Sequence, residues 1–134
     1  MKIVLDINVL ISGIFFGGPP FQILEAWHEN KIQFLLSIEM FEEYKRVAKE
    51  LAETHRGIDI TSILDLIVIN SEIIHAPSLR ESVCADEDDD NFIACALAGE
   101  SKIIVTGDKA FLSVGKYQEI EIISPRQFVN KYLR

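Results

Sequence analysis

Three observations predict an α/β domain built around a parallel sheet with helices on both faces. Five short apolar runs, rich in β-branched residues, recur along the 134-residue chain, and segments of helical spacing separate them. No linker, repeat or low-complexity tract interrupts them, so residues 1–134 read as one domain. The apolar fraction of 49% is enough for a sizeable core and excludes a disordered chain.

Each element has a local reason. Residues 2–5 (KIVL) form a buried strand that stops at Asp6, and 9–16 form a short helix broken by GGPP at 17–20. Proline suits a first turn, so a second helix runs from 20 to 29. A strand over 33–36 leads to Ser37, the N-cap of a long helix that reaches 54. Residues 55–59 form a loop, 60–70 a helix and 72–75 a third strand. After an irregular stretch over 77–88, a helix over 89–99 is stopped by glycine. The fourth strand is 102–106 (KIIVT), followed by a turn and short helix in GDKAFLS. The fifth strand is 119–123, and a helix over 124–133 closes the chain.

Composition narrows the setting. Asp6 interrupts what would be the hydrophobic stretch of a signal peptide in MKIVLDINVL, and no run approaches the roughly 18 apolar residues of a membrane span. Two cysteines, Cys84 and Cys95, make no disulfide framework, which points to a reduced, cytoplasmic setting. The net charge is −8, so any nucleic-acid partner needs a local source of positive charge.

The acids are not scattered. Asp6 follows KIVL and Asp108 follows KIIVTG, both at strand carboxyl ends, where open α/β sheets bind ligands. In the helix after Ser37, Met40, Phe41, Tyr44, Val47, Ala48 and Leu51 form the core stripe. Glu43 lies roughly 100° from its centre, against roughly 140° for Glu39 and 160° for Glu42, so Glu43 is the acid at the rim of the buried face. Five consecutive acids, Asp86–Asp90, precede the next helix. A helix N-terminus accommodates one or two of them, but a bound cation accounts for more. With Ile93, Ala96 and Leu97 as the inner face, Asp90 and Asp86 point towards it.

The cation is not calcium in an EF-hand. Aligned to that loop, Asn91 takes the place of the required glycine and Leu97 that of the bidentate glutamate. No histidine lies near these stretches, which argues against zinc. Hard oxygen ligands at strand ends fit Mg2+ or Mn2+. Receiver and aspartate-nucleophile phosphatase folds also place acids at strand ends. However, Asp6-Ile7-Asn8 breaks the D-x-D of the phosphatases, and EIIHAPS lacks the receiver's nucleophilic aspartate.

Taken in order, VLDINVLISG, SIEMFEEYKRVAKEL, DDDNFIACALAG and IIVTGDKAFL resemble a PIN domain, and more narrowly the VapC-like toxins of toxin–antitoxin pairs. The resemblance spans essentially the whole chain. It implies a three-layer α/β/α sandwich with a five-stranded parallel sheet, and a Mg2+- or Mn2+-dependent ribonuclease. Matched by position, it implies Asp6, Glu43, Asp90 and Asp108 as catalytic and metal-holding acids; Asp86, Asp88 and Asp89 have no counterpart in the family pattern, and of these Asp89 is the candidate substitute ligand. Asn8, Ser12 and Thr106 match supporting polar positions, while Ala110 stands where members often carry another acid. A second metal, where present, would lie about 3.5–4 Å from the first, with the substrate phosphate between them. Lys109, with Lys45, Arg46 and Lys49, supplies candidate contacts to the RNA backbone. An antitoxin protein and a homodimer, formed through the 15–21 region or the last helix, are the expected protein partners. The alternative to a nuclease is a catalytically silent PIN-like scaffold that binds RNA or a protein.

Overall fold

The computed structural model describes residues 1–55, 57 and 59–134. The first half of the chain gives β1 (Lys2–Leu5), α1 (Ile7–Phe15), α2 (Gly18–His28), β2 (Gln33–Ser37), α3 (Ile38–Thr54), α4 (Ile60–Ile69) and β3 (Glu72–Ile74). The second half gives α5 (Glu87–Ala98), β4 (Ile103–Val105), α6 (Lys109–Leu112), β5 (Lys116–Tyr117), β6 (Ile120–Ile123) and α7 (Pro125–Tyr132). The loop expected over 55–59 lies partly outside the described residues, since 56 and 58 are not among them.

The strands form a central sheet in the order β3-β2-β1-β4-β6-β5. The five apolar runs pair in parallel, as expected for strands buried on both faces. Ile3, Val4, Leu5, Ile104 and Val105 in the middle of the sheet are almost wholly buried. Helix α5 lies across β2, β1, β4 and β6, and α3 packs on β2 and α4. Helices α1 and α2 meet at 97°, and α2 packs on α7. Among the described residues, no single helix is long and apolar enough to cross a membrane.

The sheet has six strands among the described residues, not five. The extra strand, β5, runs antiparallel to β6, pairing Lys116 with Glu121 and Tyr117 with Ile120. Its two-residue connection, Gln118-Glu119, lacks the Asn-Gly or Asp-Gly signal that marks tight hairpins, and Gln118 takes φ 54° without being glycine. Gly99 also plays a different part from the expected one. It ends α5 with an ordinary φ of −91°, and Glu100 is the residue with positive φ, at 60°. Space is tight at 99: a Cβ there would stand 2.5 Å from Leu35 Cδ1 and 3.2 Å from the Cys95 carbonyl oxygen, so a larger residue displaces the buried Leu35 side chain.

Capping fixes where the helices begin. Ser37 accepts a hydrogen bond from the Met40 N–H at 3.2 Å, and Ser124 with Gln127 forms a reciprocal capping box ahead of α7. Ser37 is completely buried, so water cannot replace its hydroxyl. Ser37→Ala should therefore lower unfolding stability by about 1–2 kcal/mol in urea titrations without altering the far-UV spectrum.

Candidate functional site

The parallel pairing of β1 with β4 sets Leu5 opposite Val105, so the chain leaves the sheet side by side as Asp6 and Thr106. The Asp6 N–H donates to the Val105 carbonyl at 3.0 Å, continuing the ladder one step beyond the strand. The Asp6 carboxylate then turns back. Its Oδ1 accepts the Asn8 N–H at 3.0 Å, capping α1, and its Oδ2 accepts the Thr106 hydroxyl at 2.9 Å. The same Thr106 oxygen accepts the Asp108 N–H at 3.1 Å. One buried hydroxyl thus fixes both strand-end acids. Asp6 is 4% exposed, while Asp108 lies open to solvent and caps α6 through the Ala110 N–H at 2.9 Å.

A third acid comes from α5. Asp86 caps that helix by accepting the Asp88 N–H at 2.9 Å, so the helix begins at Glu87, two residues before the expected start. The inner face is set by Phe92, Ile93 and Ala96, whereas Leu97 is 38% exposed. Asp89, three residues before Phe92 and four before Ile93, is consequently the buried acid, at 7% exposure. The expectation that Asp90 points inward is corrected. Its carboxylate turns to the loop and accepts the Cys84 N–H at 2.8 Å and the Val83 N–H at 3.3 Å. Glu87, Asp88 and Asp86 itself are exposed.

Glu43 is half-buried at the rim of α3, and Glu42 is exposed and ion-paired with Lys45 at 3.2 Å. The adjacent residue, Tyr44, has a role that periodicity did not reveal. Its hydroxyl donates to the Leu5 carbonyl at 2.8 Å, inside the core and immediately before Asp6. A tyrosine in an otherwise apolar stripe was the available signal, because a buried phenol needs a partner. This bond ties the helix that carries Glu43 to the strand that delivers Asp6.

The charges act on one another. Burial raises the pKa of Asp6, and Asp108 adds to the rise, against the two hydrogen bonds that lower it. Glu43 is raised by burial and next by Asp6. Asp89 is pushed up to about 7, first by burial and then by Asp108, Asp86 and Asp6. Asp6, Asp89 and Asp108, with Glu43 at the rim, therefore share one repulsive field at the carboxyl edge of the sheet.

A family profile, PIN domain, matches residues 2–110. The chain belongs to the PIN domain family. An uncharacterized protein of Methanocaldococcus jannaschii is 30% identical, the alignment covering 98% of this chain and 92% of that protein. The crystal structure of VapBC2 from Rickettsia felis bound to a DNA fragment from their promoter has a similar fold, with TM-score 0.64 and 17% identity. That likeness covers 92% of this PIN domain and 98% of the matched chain.

The donor set of the PIN domain suits a hard divalent cation: carboxylate oxygens from three elements, with raised proton affinities that a cation would reverse. Their carboxylates lie within electrostatic reach of one another. Among the described residues, no three acids, histidines or cysteines stand close enough to grip an ion as they are. The other expected site residues contribute unequally. Asn8 is exposed and acts through its backbone N–H, whereas Ser12 is half-buried and its carbonyl accepts the Phe16 N–H at 2.8 Å. Lys109 is exposed beside Asp108. Lys45 and Arg46 are engaged by Glu42 and Glu50, at 3.2 and 3.1 Å, which offsets two of the three positive charges of that cluster.

Two outcomes follow for the metal-free protein. Tyr44→Phe leaves the Leu5 carbonyl buried without its donor and should cost about 1–3 kcal/mol of unfolding stability. The second concerns pH. The folded-state pKa of Asp89, about 7, lies above its ordinary 3.8, so the folded form holds the proton more tightly than the unfolded form. Stability in EDTA should therefore fall as pH rises across that interval. Asp89→Asn, which removes the charge, should flatten the fall and raise the thermal midpoint at pH 8 by on the order of 5 °C.

Proposed function

We propose that this PIN domain is a divalent-metal-dependent endoribonuclease that hydrolyses phosphodiester bonds in single-stranded or structured RNA. The observation that carries this reading is the convergence of Asp6, Asp89 and Asp108, with Glu43 at the rim. A folded chain that keeps a buried Asp6 and Asp89 in the same field has a repulsion that Mg2+ or Mn2+ would relieve. Asp6, Asp89 and Asp108 would hold the ion, and Glu43 would join them directly or through water. Asp90 is left out of this set because its oxygens serve the loop backbone.

The ion would supply water activation and compensation of the charge that builds on the phosphate. The chain supplies the arrangement. Thr106 holds one Asp6 oxygen and the Asp108 backbone in fixed relation, so the two strand ends present their acids from a common anchor. Tyr44 fixes how far Glu43 stands from Asp6. Lys109, exposed next to Asp108, lies where it can meet an RNA phosphate. Ala110 places no carboxylate on the first turn of α6, so a second ion would have fewer ligands there.

The same reading extends to partners and setting. A nuclease of this kind needs restraint, and an antitoxin that covers the carboxylates would provide it, in keeping with the likeness to VapBC2. Phe16, 86% exposed at the corner of α1 and α2, with Phe21, 46% exposed, offers the apolar surface for a homodimer. A chain with two cysteines, both free, suits a reduced, cytoplasmic location.

A silent scaffold is the second reading, and the unclosed acid set together with Ala110 favours it. Cleavage of a labelled unstructured RNA separates the two. Cutting in Mn2+ or Mg2+, absent in EDTA and reduced more than about a hundredfold in Asp6→Asn and Asp89→Asn, is the expected result. A folded native protein that cuts in none of these conditions would favour the scaffold, or a substrate too specific for this RNA.

A further inference from the structure

Residues 75–86 cross from β3, at one edge of the sheet, to the start of α5 with no helix or strand. Ala76 and Cys84 of this strap are buried, and Leu79 and Val83 rest against the core. An open surface groove, bordered by Leu79, Arg80, Ala94, Leu97 and Tyr117, runs between part of the strap and α5, so the strap is not packed against that helix along its whole length. Among the described residues, no backbone–backbone hydrogen bond joins residues 75–85 to any other part of the protein. One side chain makes their polar attachment among the described residues: Asp90, whose carboxylate accepts the N–H groups of Val83 and Cys84.

We infer that Asp90 is a positioning residue: it clamps the strap to α5 and so aims Asp89 into the site. The inference rests on the metal-centre reading above for its functional half. The geometry links the two residues closely. Asp90 sits one turn past the Asp86 cap, and its bonds fix the chain only two residues before that cap. With the clamp made, the chain enters α5 through the Asp86 cap, and Asp89 stands inside the first turn on the face that Phe92, Ile93 and Ala96 bury. With the clamp released, any of the neighbouring acids can cap the helix instead. A start at Asp88 or Asp89 leaves Asp89 as the first helical residue or the cap itself, at the fraying end of α5, where the packing of Phe92 and Ile93 no longer holds its carboxylate beside Asp6 and Asp108. Asp90 thus acts on the ion through Asp89 and does not touch it.

Amide hydrogen exchange on the metal-free protein, with Mn2+ calorimetry on the same samples, tests this. In Asp90→Ala, protection at Val83 and Cys84 should be lost and Mn2+ affinity should fall about tenfold. Asp90→Asn retains an oxygen that can accept from Cys84, so it should keep that protection and bind Mn2+ within about threefold of native. Asp89→Asn should keep the strap protected yet lose Mn2+ binding by more than about a hundredfold. Loss of Mn2+ binding in Asp90→Asn with the strap still protected would overturn the inference, because Asp90 would then be a ligand. Unchanged protection in Asp90→Ala would overturn it too, since there would be no clamp. A native protein that binds no Mn2+ overturns the metal-centre reading instead, and the exchange data then decide the clamp alone.

Discussion

The structure depends on a conflict between burial and charge at the carboxyl edge of the β1–β4 pair. Asp6 must leave the sheet beside Thr106 because the two strands are in register there, and that step carries a carboxylate to 4% exposure. Desolvation alone would favour a neutral group at this position. The fold answers with one hydroxyl and one backbone N–H aimed at Asp6, and it places further acids within electrostatic reach. The arrangement costs stability locally, while the almost fully buried strands on either side supply the surrounding rigidity.

The five-acid run at the start of α5 becomes intelligible as a division of labour. Asp86 caps the helix, Asp89 goes inward, and Asp90 ties down the preceding strap. Glu87 and Asp88 stay in water within the first turn, where the helix dipole favours negative charge. A run of like charges that looks redundant as composition therefore has distinct duties once the helix phase is known.

Much of this was legible in the sequence, and the gaps have physical causes. The parallel strands could be read because doubly buried strands are apolar throughout, and Ser37 could be read because a serine between strand and helix has one obvious use. Glu43 was separated from Glu42 by angle alone, since the stripe on α3 is long and unambiguous. The same method misjudged Asp90. Five adjacent acids are all competent caps, and Leu97 was counted as core although it is partly exposed, so the helix phase was off by one residue. β5 was invisible because two residues carry no periodicity, and the Tyr44 hydroxyl was hidden by the apolar stripe around it.

The hydrogen bond from Thr106 to Asp6 joins residues 100 positions apart. Contacts of such separation close late, because most of the chain entropy must be lost before they form. During synthesis, Asp6 emerges early and Thr106 and Asp108 only after most of the domain, so a growing or partly folded chain carries dispersed acids but no assembled centre. The fold thereby brings its acids together only when nearly the whole sheet is in place, and any lesion that prevents β4 from docking on β1 leaves them apart even with every acid intact.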